Sequence, residues 1–121
     1  MSFAVYKVLH LLGVGLLFSG LGGLCMLSIA GVESEKARKL ASIAHGVSLL
    51  IIMVAGFGLL AKLGLSSGMP LWIWLKIVIW VALGGVVVLI KRFPKLATEL
   101  LFLLPVLGAL AAYLAIYRVG G

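Results

Sequence analysis

The sequence predicts an all-α integral membrane protein, a four-helix up-down-up-down bundle forming a single transmembrane domain over residues 1–121. Three observations carry that prediction. The 121 residues are 64% hydrophobic and 11% charged, whereas soluble domains carry about 25% charged residues; mean hydropathy is +1.34, and Asp, Asn and Gln are absent. Four apolar runs each reach the roughly 20 residues that a spanning helix needs. The segments between them are short and polar, so consecutive helices run antiparallel.

Helix 1 is expected over about residues 3–29. It has no small-residue cleavage site and is long enough to span, which makes it a retained helix and not a signal peptide. In the connection "AGVESEKARK", Gly31 suits a helix C-cap and Ser34 an N-cap, so helix 2 is expected over about residues 35–63. "LGLSSGMP" ends with Pro70, which suits the first turn of helix 3, expected over about residues 70–91. "KRFPK" places Pro94 at the start of helix 4, expected over about residues 94–118. Pro105, near its middle, cannot donate to the carbonyl of Leu101, and a kink is expected there. The lone Cys25 excludes an intrachain disulfide and reads as a small apolar filler.

Loop charge predicts the orientation. Lys36, Arg38, Lys39, Lys91, Arg92 and Lys95 fall on one side; Lys7, Lys62 and Arg118 fall on the other. The positive-inside rule puts the richer side in the cytoplasm of a bacterial inner (plasma) membrane, with both termini and the "SSGMP" loop outside. Phe3, Tyr6, Trp72, Trp74, Tyr113 and Tyr117 gather toward the outer end, as headgroup-level rings do. The net charge of +7 is mostly this topology signal plus attraction to anionic lipid heads, and needs no nucleic acid as partner.

Few side chains inside the spans can do chemistry: His10, Ser19, Ser28, Ser42, His45, Ser48, Lys76, Thr98, Glu99 and Tyr113. That is too few to line a polar solute path. A small four-span multidrug exporter needs a carboxylate in its first span, and none is present. Lys76 stands out within "WIWLKIVIW", because a lysine near the bilayer centre costs roughly 2.5 kcal/mol or more. By helical rise, His10 and Lys76 lie at about one level in the outer half. Trp72 and Trp80 are each four residues from Lys76 on its face, placed to hold the ammonium by cation–π contact. His10 with Lys76 is therefore the candidate constellation, suited to an acidic group such as the carboxylate of a lipid-soluble ligand. The competing reading has Lys76 snorkelling to the headgroups and His10 bonding a carbonyl.

His45 lies in the inner half, on a face with Ala41, Ser48, Ile52 and Ala55. A neutral imidazole there either ligates haem iron or bonds a neighbouring backbone. Helical rise separates it from His10 by about 15 Å along the membrane normal, which argues against one chain holding a bis-histidine haem. A haem with one histidine ligand, or a homodimer pairing each histidine with its copy, stays open. Gly15, Ser19 and Gly23 form a small-xxx-small stripe that points nearly opposite His10 and is available to a second copy, a partner in a membrane complex, or lipid. Gly108 and Ala112 repeat the spacing on helix 4.

"YKVLHLLGVGLLFSGLGGL" followed by "WIWLKIVIWVAL" resembles a group of small membrane families: the SirB-like proteins, the copper-resistance D-type proteins and the HemJ-type protoporphyrinogen oxidases. The shared elements are Lys7, His10, Gly13, Ser19, Gly20, Trp74 and Lys76. The resemblance implies a haem (haem b), porphyrin or redox-metal connection, with His10 implicated in haem binding and Lys76 as a family hallmark. The HemJ-type arginine late in helix 1 and histidine late in helix 3 are absent here, so the resemblance points to the general SirB-like or copper-resistance D-like bundle. Two functions are expected. One is a haem- or tetrapyrrole-associated membrane protein using His10, Lys76, Trp72, Trp80 and His45. The other is a non-catalytic accessory or assembly subunit of a larger membrane complex.

Overall fold

The computed structural model describes residues 2–64 and 68–117. It is all-α, with helices α1 (Phe3–Ala30), α2 (Glu35–Leu63), α3 (Leu71–Arg92) and α4 (Ala97–Tyr117). Each is long and apolar enough to cross a bilayer. The 22 residues of α3 extend about 33 Å, enough for a hydrocarbon core of roughly 30 Å. Large apolar side chains stand exposed on all four helices, among them Val8, Val54, Val78 and Phe102. On a membrane protein that surface belongs to lipid.

The helix ends follow from local chemistry. The Ser2 hydroxyl accepts the Val5 amide at 3.3 Å and the Ser34 hydroxyl accepts the Ala37 amide at 3.2 Å, each satisfying one orphan donor of a first turn. Gly31 and Gly64 take left-handed backbone at φ 65° and 73° and close α1 and α2. Pro70 stands just before α3 rather than within its first turn. Helix 4 opens at Pro94, as expected, but as a 3-10 turn over Pro94–Leu96, and α-geometry begins at Ala97. Proline supplies the starting φ without an amide, and the tight turn lets the chain reverse within a few residues. α4 then continues as α-helix through Pro105. Arg118 and the serines of the "SSGMP" loop lie outside the described residues.

α1 and α2 make the longest contact, and it is antiparallel. The Tyr6 ring covers Gly58, His10 lies beside Gly56, Gly13 faces Ile52, and Gly20 faces Ala41 and His45. On α1 these positions, with the buried Leu17 and Leu24, step alternately by four and three residues, the spacing of a heptad seam. A methyl group at Gly20 would stand 2.9 Å from the Ala41 carbonyl oxygen and 3.1 Å from the His45 amide nitrogen. Glycine thus lets the two backbones approach. α4 packs on α1 and α3, α2 meets α3 briefly, and α2 and α4 make no contact among the described residues. The core gathers Leu17, Leu21, Leu24 and Cys25 of α1 against Leu83, Val86 and Ile90 of α3 and Leu100 and Leu104 of α4.

The small-residue stripe divides. A methyl group at Gly15 would meet nothing within 4 Å, whereas one at Gly23 would touch the Ala41 side chain at 3.8 Å. Ser19 is exposed, and its hydroxyl bonds the Gly15 carbonyl of its own helix at 2.9 Å. On α4, Gly108 receives the Phe18 ring, while Ala112 is exposed.

Candidate functional site

His10 reaches its place because α2 carries a glycine opposite it. A methyl group at Gly56 would stand 3.9 Å from both Cε1 and Nδ1 of the imidazole. Nδ1 is buried and has no hydrogen-bond partner, while the ring has the Ile52 main chain as a hydrogen-bonding neighbour. Lys76, half-buried on α3, is near enough for its charge to act on the His10 ring. Trp72, one turn before Lys76 on the same face, is 6% exposed, and its indole nitrogen is also buried without a partner.

An indole N–H and an ammonium only donate, and a neutral imidazole offers one donor and one acceptor. No carboxylate stands at this end of the bundle among the described residues: Glu33 and Glu35 adjoin the start of α2 and Glu99 the start of α4, all at the opposite end. Unpaired buried polar groups are rare in folded proteins, and each costs about 1–3 kcal/mol. His10 and Lys76 at one level, with Trp72 one helical turn nearer the outer end and no carboxylate among them, make a donor-rich arrangement suited to an anion.

The two tryptophans expected about Lys76 have different surroundings. Trp80 turns its indole N–H to the Leu49 carbonyl of α2, at 3.2 Å. Among the described residues the aromatic rings make one mutual contact, Tyr113 with Tyr117, at 4.7 Å between centroids and tilted by 39°. The physical reason is the solvent. In hydrocarbon an indole N–H has no water to fall back on, and Leu49 presents a carbonyl lone pair that the helix ladder leaves over.

His45 meets the second of its two expected fates. It is buried, and Nε2 lies 3.2 Å from the Leu83 carbonyl of α3. Ser48 donates its hydroxyl to the His45 carbonyl at 2.6 Å. His45 on α2 bonds α3, and Trp80 on α3 bonds α2 one turn away, so the two side chains clamp helices that otherwise touch little. Sequence alone carries no signal for this clamp, because both acceptors are main-chain carbonyls.

The spacing of the two histidines limits how a porphyrin iron could be held. His10 lies beside Gly56, and His45 is eleven positions earlier on the same helix, a separation of about 16 Å along its axis. One chain therefore does not bring both imidazoles to one iron. The α1–α4 cleft of about 510 Å³ and the α1–α2 cleft of about 370 Å³ are lined by neither histidine. No group of three or more His, Cys, Asp or Glu side chains suited to a metal ion occurs among the described residues. Two-histidine iron ligation within one chain does not fit, whereas the donors at the His10 level suit a carboxylate. The chain matches no family model, no curated protein and no solved structure, and its function is read from its own side chains.

Proposed function

We propose that the chain is a membrane protein that binds an acidic, lipid-soluble molecule of the tetrapyrrole class at the level of His10 and Lys76. The observation that carries this reading is the pair of buried, unpartnered nitrogens, His10 Nδ1 and Trp72 Nε1, beside a lysine at an end without carboxylates. A propionate-type carboxylate accepts from all three groups while the macrocycle lies in lipid. Haem b and a metal-free porphyrin are served alike, since the carboxylate and not the iron is held. The chain sits in a bacterial inner membrane with both termini outside and the Lys/Arg-rich connections in the cytoplasm.

The test is a visible absorption spectrum with metal analysis on protein purified from haem- and porphyrin-supplied cells. A Soret band is expected in the wild type and in Trp80→Phe, and is expected to be lost in His10→Ala and Lys76→Met. A colourless wild type in both redox states removes the reading.

A second reading, an accessory subunit of a larger membrane complex, is favoured by Gly15 and Ser19, which face outward without a partner in the chain. Isolation in mild detergent of a monodisperse protein with nothing bound to it counts against that reading.

A further inference from the structure

Midway along the span Pro94–Tyr117, α4 carries Pro105. It has no amide hydrogen, so the Leu101 carbonyl one turn earlier loses its helical donor. Leu101 and Pro105 share a helix face and both line the α1–α4 cleft of about 510 Å³. Every side chain lining that cleft is apolar, so the polar group it presents is main chain. Across from α4, Gly22 lines the cleft and has only open space where a side chain would stand. The Phe18 ring, lodged against Gly108, forms the adjoining wall. The result is an open apolar groove at mid-membrane depth, bordered by one carbonyl that lacks its usual helical donor, in a medium whose lipid tails have nothing to donate to it.

We infer that this α1–α4 cleft binds a neutral lipid-soluble phenol, of the kind found in a quinol head, with the Leu101 carbonyl accepting its hydroxyl. A phenol brings a proton donor and a flat ring that packs on Phe18. The oxidised quinone brings only acceptors and would leave the carbonyl unpaired, and sites built around a hydroxyl discriminate against analogues that lack it. This inference is independent of the His10–Lys76 reading, because no residue is shared.

The test uses the full chain in lipid nanodiscs, with a diazirine-bearing 4-alkylphenol as photolabel and 4-nonylphenol or its methyl ether as competitor. Labelling is expected on Phe18, Leu101 or Leu104, with the phenol competing roughly 3- to 20-fold better than the ether, the range for one hydrogen bond inside a membrane. Pro105→Ala restores the missing amide and is a better helix former, so it is expected to keep the labelling and lose the discrimination. Gly22→Leu fills open space without a clash and is expected to abolish labelling. Equal competition by phenol and ether in the wild type overturns the proposal, as does labelling that maps elsewhere. A change of oligomeric state in Gly22→Leu, with no phenol labelling in the wild type, also overturns it and assigns the cleft to a second copy.

Discussion

Replacing Gly20 and Gly15 by alanine, one at a time, separates the seam that holds α1 to α2 from the face that α1 turns outward. The added methyl at position 20 would stand 2.9 Å from the Ala41 carbonyl oxygen and 3.1 Å from the His45 amide nitrogen. Both are main-chain atoms of a continuous helix and cannot rotate away. Ordinary contact begins near 3.4 Å, so the first contact is short by 3.4 − 2.9, about 0.5 Å, and α2 must retreat by a similar distance. A gap of that size on the rest of the seam forfeits about a quarter of each dispersion well, and overpacking of this kind costs about 1–3 kcal/mol. At position 15 the methyl meets nothing within 4 Å. Both changes gain the same helix propensity, about 1 kcal/mol in favour of alanine, and it cancels in the comparison. Gly20→Ala is therefore expected to be about 1–3 kcal/mol less stable than Gly15→Ala, with Gly15→Ala at or slightly above wild type. Reversible unfolding in mixed micelles, followed by far-UV circular dichroism as sodium dodecyl sulfate is raised, measures the difference. Equal stabilities, or a more stable Gly20→Ala, would refute the seam.

Three further outcomes follow from the same contacts. Trp80→Phe keeps the ring and removes only the donor to Leu49, so it is expected to cost about 0.6–1.7 kcal/mol in the same assay; combined with His45→Leu, the loss should be non-additive, because the two bonds clamp the same pair of helices. His10→Leu in ligand-free protein has the opposite sign: it removes a buried nitrogen that has no partner, and unfolding should show unchanged or increased stability. Ser34→Ala removes the cap on the Ala37 amide and is expected to cost about 0.5–2 kcal/mol, with faster amide hydrogen exchange confined to the first turn of α2.

Much of the fold was legible because membrane insertion and helix capping are local. The four spans, the caps Gly31 and Ser34 and the start of helix 4 at Pro94 needed only hydropathy and turn chemistry. The opposed faces of His10 and of Gly15 with Ser19 needed only the helical period. The α1–α2 seam was legible in principle, since the spacing of Tyr6, His10, Gly13, Leu17, Gly20 and Leu24 alternates four and three. The four-residue small-xxx-small spacing instead marks Gly15 and Ser19, which face outward. At the candidate site, the shared level of His10 and Lys76 was readable from helical rise, while the unpartnered indole of Trp72 was not.

By itself the amino-acid sequence determined that this chain is built of four membrane-length apolar helices, where they begin and end, and how deep each polar side chain sits along its own span. Tertiary structure alone decided which neighbour each of those side chains met: His45 with the Leu83 carbonyl, Trp80 with Leu49, His10 with Gly56 and no bonding partner for Nδ1. The reason is geometric. Rise along a helix is the same for every residue, so depth follows from counting, but the rotation of one helix against the next is set by the packing of all of them. α1 carries glycines at positions 13, 15, 20, 22 and 23, on several of its faces, and only the packed bundle selected positions 13 and 20 for the tightest approach to α2.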